Sequence, residues 1–480
     1  MAACLDPALN RVPETVHHIH VMGVCGTGMA AMAGMLKDSG FRVTGSDRNV
    51  YPPMSDFLAR AGIEVMEGYR PENLDPRPDL VIVGNVIQAV FPEAERLAEL
   101  QIPYLSMPQA LASFFLRNHS SLVVAGTHGK TTTSSMLATA LYRAGRSPGF
   151  LIGGIVEAFG SNYRLGEGAE FVVEGDEYDT AFFNKVSKFL HYRPHCAILT
   201  SIEFDHADIF AGIEQIKDSF AEFVRLIPAD GALVACMDDP LVAEISGLCR
   251  GKVIGYGAGS ECRWQLRNLA VSGLTSSFVA FKDGVCFGEF TLPMPGMHNG
   301  LNALAVIALM DHLGVAREAI GKGLASFEGV KRRQQIRGEV NGITVLDDFA
   351  HHPTAVRETI KALRLAWPER RLVIVFEPRT NSSRRSVFQE QYETAFVGAD
   401  LVVVREIVPL DTIPVSEQFS SQKLVQGLGR QGITAEYFPD TDTILDFLVG
   451  QARSGDIIAI LSNGGFDDIH ERLLDRLKHC

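Results

Sequence analysis

Residues 122–141 constrain the chain more than any other stretch. An apolar run, Leu122-Val123-Val124-Ala125, leads into Gly126-Thr127-His128-Gly129-Lys130-Thr131-Thr132-Thr133, and a helix-forming segment from Ser134 to Leu141 follows. A strand, a glycine turn carrying Lys-Thr and a helix make a phosphate cradle. Backbone N–H groups at a helix N-terminus face an anion there, and the helix dipole favours negative charge. Glycines let the backbone close around phosphate oxygens. In this layout Lys130 reaches the terminal phosphates and Thr131 offers its hydroxyl to Mg²⁺. The spacing between the glycines is two residues shorter than in G-x-x-x-x-G-K-[ST], so the stretch is a variant of that pattern. An ordinary strand-to-helix turn that happens to hold Gly-Lys-Thr is the plain alternative.

The 480 residues suggest about three domains at ~150 residues each. With 46% apolar and 21% charged residues, the chain can build several cores. The 44 basic and 57 acidic side chains leave a net charge of −13 with no long basic run, which argues against a sequence-independent grip on nucleic acid. The eight cysteines are scattered and form no C-x-x-C, so neither structural zinc nor a disulfide framework is indicated. Free thiols in a chain of this size fit a reducing cytoplasm. Neither a signal peptide nor an apolar run of ~20 residues is visible, so no membrane partner is expected.

Strand and helix patterns alternate along the chain, predicting mostly parallel, doubly wound sheets. His18–Met22 reads as a strand, Gly23-Val24-Cys25-Gly26-Thr27-Gly28 as a glycine-rich turn, and Phe41–Asp47 as a second strand ending in an acid. Asp47 stands about where a ribose-binding acid would lie, and Asn85 ends the next apolar run. A nucleotide diphosphate and a purely structural turn both fit this βαβ unit. Two later strands run into acids, Val173-Glu174-Gly175-Asp176-Glu177-Tyr178-Asp179 and Ile202-Glu203-Phe204-Asp205-His206-Ala207-Asp208. Ligands collect at the carboxyl ends of parallel strands, so Thr131, Glu174 and His206 are candidate Mg²⁺ ligands around one nucleotide. Asn299 and Asn302 share one side of a helix start, where they suit either an adenine edge or helix capping. Gly329-Val330-Lys331-Arg332-Arg333 is a basic cluster, suited to a transferring phosphoryl group or to a solvated loop. Further strands at 343–348, 372–376, 401–404 and 457–461 predict a third α/β unit.

Taken together, GTHGKTTT (126–133), VEGDEYD (173–179), IEFDHAD (202–208), HNGLN (298–302), GVKRR (329–333) and DDFAHHP (347–353) resemble the Mur ligases of peptidoglycan synthesis. The resemblance spans nearly the whole chain. It implies a three-domain α/β architecture: a Rossmann-like UDP-sugar domain (1–118), a central P-loop ATPase domain (119–334) and a Rossmann-like C-terminal peptide-binding domain (335–480). It also implies ATP-dependent amide formation through an acyl phosphate. Two branches of the family compete. One joins UDP-N-acetylmuramate to L-alanine. The other, in peptidoglycan recycling, joins it to the tripeptide L-alanyl-γ-D-glutamyl-meso-diaminopimelate. Residues 49–55, 181–189, 377–381 and 462–466 look more like the tripeptide branch. The chain departs from the pattern at Ala89-Val90-Phe91-Pro92, where that branch has Arg-Gly-Asn-Pro, and at Ser201, where the family has Asn. The position of a carbamylated lysine in some relatives falls on Ser219, not Lys217.

The resemblance implies roles residue by residue. Gly126, Thr127, His128, Gly129, Lys130, Thr131 and Thr132 hold ATP phosphates, with Arg333 on the γ-phosphate. Thr131 and Glu174 place one Mg²⁺, and His206 a second. Asn299 and Asn302 meet adenine, Asp348 the ribose, and His351 lies near the phosphates. Gly26, Thr27, Gly28, Asp47 and Asn85 hold the UDP part. Arg379, Asn381 and Asn463 are assigned to the peptide. A monomer or a homodimer is expected. A dehydrogenase built on the first glycine turn and a non-enzymatic ATP-binding regulator are the rivals. The dehydrogenase leaves the 126–133 motif and the acid–histidine strands unexplained, and tight ATP binding without phosphate release in the presence of both substrates would favour the regulator.

Overall fold

The computed structural model describes residues 2–479 apart from 53, 206–208, 211 and 412. Three sheets carry it. The first has five parallel strands in the order Glu64–Glu67, Arg42–Asp47, His18–Met22, Leu80–Val83, Tyr104–Ser106. The strand order reverses between His18–Met22 and Leu80–Val83, which opens a crevice beside the Gly23–Gly28 turn.

The second sheet has ten strands. Its parallel centre sets Ser120–Ala125 between Glu170–Gly175 and Cys196–Leu199. These three strands are almost wholly buried and apolar at their centres (Leu122–Ala125, Phe171–Val173, Ala197–Leu199), as expected where both faces of a parallel sheet are covered. Lys130–Arg143 covers one face and is buried along most of its length. Both edges of the sheet differ from the predicted parallel alternation. At one, Ser161–Arg164 pairs antiparallel with Gly149–Val156. The other edge departs further. Trp264–Ser272, Thr275–Lys282 and Val285–Leu292 form an antiparallel meander that extends the sheet edge. Its strands are half exposed and broken by register shifts, so no clean period marks them in the sequence.

The third sheet runs Gln335–Val340, Ile343–Asp348, Ile457–Leu461, Leu372–Phe376, Leu401–Arg405, Thr434–Phe438, parallel except for its first strand. Separate apolar cores lie on its two faces. The first and second sheets instead share one continuous core. Among the described residues no helix is long and apolar enough to cross a membrane, and the seven described cysteines are free thiols.

Ile198 lies fully buried at the middle of the central sheet, paired with both Val124 and Val234. Ile198→Ala is expected to cost about 2–5 kcal/mol. The measurement is the urea midpoint followed by tryptophan fluorescence; an unchanged midpoint would contradict the packing described.

Candidate active site

The phosphate turn begins where the strand stops. Gly126 and Gly129 have φ of +130° and +79°, values that side-chain-bearing residues rarely adopt. A Cβ on Gly129 would also lie 2.8 Å from Asn302 Oδ1. The turn is tied to the end of the neighbouring strand. Thr127 N–H donates to Ser201 O (2.8 Å), and His128 N–H donates to Ser201 Oγ (3.1 Å). Thr200 Oγ1 donates to His128 O (2.6 Å), and Glu203 N–H donates to Thr127 Oγ1 (2.8 Å). Ser201 therefore acts as an acceptor for the turn.

Lys130 folds back over this turn. Its Nζ donates to Gly126 O (2.6 Å) and Thr127 O (3.2 Å), and it pairs with Glu177 Oε2 at 3.0 Å. Burial pushes the ammonium pKa down, but the Glu177 carboxylate beside it outweighs that and raises the pKa above its usual value. Lys130 is therefore a fixed cation. Glu177 is the residue that sequence reasoning left without a role, although it lies within the quoted acidic run.

One residue further on, Thr131 Oγ1 donates to Glu174 Oε1 (2.8 Å), and Glu174 Oε2 accepts from Gly153 N–H (2.7 Å). Arg333 Nη2 donates to the same Thr131 oxygen (3.3 Å) while its guanidinium stacks 4.5 Å from the Phe349 ring. Burial lowers the Arg333 pKa from its usual value, opposed by Asp348 and Glu174. A hydroxyl and a carboxylate are hard oxygen donors, and this pair fits Mg²⁺. His206 lies outside the described residues, so its part in the metal site stays a sequence expectation.

These groups open on one cavity of about 480 Å³. Of the expected ATP residues, Thr127, His128, Gly129, Lys130, Thr131 and Thr132 line it; Gly126 lies behind the lining. Glu174, Asn299, Asn302, Arg333, Asp348, His351 and Asn463 line it as well. The helix holding the asparagines starts at Met297, entered through Gly296 at φ +106°. Neither asparagine acts as the N-cap; Asn299 Nδ2 donates to Pro295 O (2.8 Å) and Gln334 Oε1 (3.3 Å). Asp348 is buried and accepts from Gln334 N–H and Ala350 N–H, both at 2.8 Å. Burial raises its pKa, opposed by Arg333. Glu203, His352 and Thr354 also line the cavity and were not singled out from sequence. They meet through tertiary packing, which no local pattern signals.

The other expected contacts lie elsewhere. Gly26, Thr27 and Gly28 form the first-sheet turn and the start of the helix Thr27–Asp38. Asp47 is buried and closes this turn by accepting from Cys25 N–H (2.8 Å) and Asn49 N–H (3.0 Å), so both its oxygens are engaged by backbone. Asn85 is exposed after its strand. Arg379 and Asn381 are exposed outside the cavity lining, while Asn463 Oδ1 is buried without a hydrogen bond. Lys217 pairs with Glu214 and Glu244, and Ser219 Oγ lies 2.7 Å from Ser187 Oγ.

Known proteins share this plan. The family model described as Mur ligase family, catalytic domain matches residues 18–119. The Mur ligase middle domain matches 124–310, and the Mur ligase, glutamate ligase domain matches 332–464. The chain belongs to the Mur ligase family. Like the family's other members, it is an ATP-dependent ligase that forms amide bonds. Among Mur ligases, it is 41% identical to the UDP-N-acetylmuramate–L-alanyl-γ-D-glutamyl-meso-2,6-diaminoheptandioate ligase of Escherichia coli, over 96% of this chain and 98% of the relative. The UDP-N-acetylmuramate–L-alanine ligase of Geobacter sulfurreducens is 37% identical, over 97% and 98%. The crystal structure of a murein peptide ligase from Psychrobacter arcticus superposes with a TM-score of 0.71 at 34% identity, covering 97% of this chain and 99% of that one. The three-domain architecture expected from the motifs is therefore that of the protein, and the dehydrogenase and regulator readings fall away.

Burial lowers the pKa of His298, His351 and His352 to about 4 in each case. In an unfolded chain they titrate near ~6.5. Between those values the unfolded chain binds more protons, so stability must fall as pH drops through this window. Calorimetry should show Tm falling from pH 6.5 to 4, and His298→Gln should recover about 2–4 °C of that fall, as for ~1 kcal/mol. An identical Tm–pH slope in the variant would remove His298 from this account.

Proposed function

We propose that the protein joins UDP-N-acetylmuramate to L-alanyl-γ-D-glutamyl-meso-diaminopimelate, with ATP converted to ADP and phosphate through an acyl phosphate, in peptidoglycan recycling. The observation that carries the chemistry is one cavity in which Thr131 bonds to both Glu174 and Arg333 while the buried Lys130 ammonium lines the same wall. The choice of amine rests on the substrate for which the 41% identical relative is named, against 37% for the L-alanine enzyme.

The reaction has two steps. The lactyl carboxylate attacks the γ-phosphorus, and the peptide amine then attacks the acyl phosphate carbonyl. Each step builds negative charge on oxygen, so fixed cations supply most of the stabilisation. In this reading Lys130 exchanges Glu177 for the γ-phosphate, and Arg333 meets the charge from the opposite side. The turn residues Gly126 to Thr132 hold the remaining phosphate oxygens. Thr131, Glu174 and His206 are assigned to Mg²⁺, which when bound supplies positive charge between the phosphates. Asn299 and Asn302 read adenine, Asp348 anchors the ribose side through the loop it orders, and His351 borders the phosphates. The first-sheet crevice takes the UDP group, with Gly26, Thr27, Gly28 and Asn85 at its edge and Asp47 shaping the turn. Arg379, Asn381 and Asn463 are assigned to the peptide. We further propose boundaries near residues 118 and 334, a cytoplasmic location, and action as a monomer or homodimer.

Lys130→Ala is expected to lower phosphate release in the presence of both substrates at least about hundredfold. With the wild type, release should be much faster with the tripeptide than with L-alanine; the reverse preference would move the protein to the L-alanine branch. Glu174→Gln should raise the Mg²⁺ concentration for half-maximal rate by about tenfold or more. An unchanged Mg²⁺ titration would remove Glu174 from the metal site.

A further inference from the structure

A second ligand set stands on the wall of the same cavity. His128 Nε2, Glu203 Oε2 and His352 Nδ1 all lie within 4.8 Å of one another. The Glu203 oxygen is 3.4 Å from His128 Nε2 and 3.7 Å from His352 Nδ1. His128 Nε2 is shut off from solvent and makes no hydrogen bond. The tautomer of His352 is fixed by its surroundings. Its Nε2 lies 3.2 Å from the Phe204 carbonyl, which can only accept, and its Nδ1 lies 3.3 Å from the Thr354 N–H, which can only donate. The ring proton is therefore on Nε2, and the Nδ1 lone pair accepts from the Thr354 N–H, a contact that a bound ion would replace. Burial keeps this imidazole neutral at pH 7. Thr354 Oγ1 donates to Glu203 Oε2 (2.7 Å) and orients the carboxylate.

We propose that His128, Glu203 and His352 bind a zinc-class divalent transition-metal ion, at a position distinct from the Mg²⁺ ligands Thr131 and Glu174. Two imidazoles and a carboxylate with one coordination position left open suit such an ion, whereas Mg²⁺ prefers oxygen donors. Tetrahedral bonds of 2.0–2.1 Å require ligand atoms about 3.3 Å apart, close to the two separations to Glu203. The outer contacts are also those of a metal-binding histidine, whose second nitrogen donates to a carbonyl and whose neighbouring carboxylate is held by a hydrogen bond. The ligands come from different parts of the chain. His128 lies in the phosphate turn, Glu203 after a central strand, and His352 at the N-cap of the helix Pro353–Ala366. A bound ion would pin that helix to the phosphate turn.

The test is equilibrium dialysis of the full chain against Zn²⁺ in a large excess of Mg²⁺, with metal counted by mass spectrometry. It needs neither nucleotide nor substrate, so it stands apart from the ligase assignment. Wild type and Glu174→Gln should each retain one Zn²⁺ per chain. Glu203→Gln and His352→Gln, each verified by near-ultraviolet circular dichroism, should bind about 10–100-fold more weakly. Zn²⁺ should also raise the Tm of the wild type and not that of Glu203→Gln, which reads the site even if the His352 variant folds poorly. Failure of the wild type to retain Zn²⁺ against Mg²⁺, or loss of Zn²⁺ in Glu174→Gln with both other variants unaffected, would overturn the proposal.

Discussion

The parallel ladder that sets Ala125 against both Gly175 and Leu199 brings three strand ends to one level in the central sheet. From those ends come the phosphate turn, the acidic run at 174–179 and the loop that starts at Thr200. Because neighbouring strands stand ~4.8 Å apart, side chains leaving them at the same height can touch without long reaches. The 2.8 Å contact of Thr131 with Glu174 and the bonds from Thr200, Ser201 and Glu203 to the turn all follow from this alignment. A slip of one residue in the pairing of Ser120–Ala125 with Glu170–Gly175 would turn Glu174 to the opposite face of the sheet.

The C-terminal sheet contributes through a short path. Arg333 lies just before its first strand, Gln335–Val340, yet bonds to Thr131. Asp348 ends the second strand and orders Gln334 and Ala350 on either side of the cavity. His352 and Thr354, at the start of the next helix, reach Phe204 and Glu203. The cavity is thus built by two sheets, bridged by these polar contacts and by Phe204, which packs against the C-terminal core beside Phe388. The first sheet is held differently, since its core is continuous with that of the central one.

Local signals were legible where a residue's role depends on its near neighbours. The strand, turn and helix at 120–143 could be read because a buried apolar run, two glycines and a helix-forming segment follow each other directly. The first turn was legible for the same reason, although Asp47 engages backbone with both oxygens, which residue type alone does not reveal. The meander at 264–292 escaped because exposed antiparallel strands with bulges lose the alternation that marks them. Glu177 was visible as one acid among four, but only packing tells which of them faces Lys130. Glu203 and His352 are 149 positions apart in sequence, and their meeting is a product of the fold. The exposed positions of Arg379 and Asn381 likewise follow from where the loop after Phe376 runs.

The pairing of Lys130 with buried Glu177 bears on how quickly the site can respond. An ammonium in bulk water must shed its hydration before it can grip an anion, and that reorganisation slows and weakens the grip. Here the cation is carried into a low-dielectric floor during folding, with two carbonyls and a carboxylate in place of water. In the proposed reaction an arriving phosphate would compete with one anionic neighbour, Glu177, for a cation already buried and held in place. The strength of that single ion pair would then set how readily the site gives up its resting arrangement.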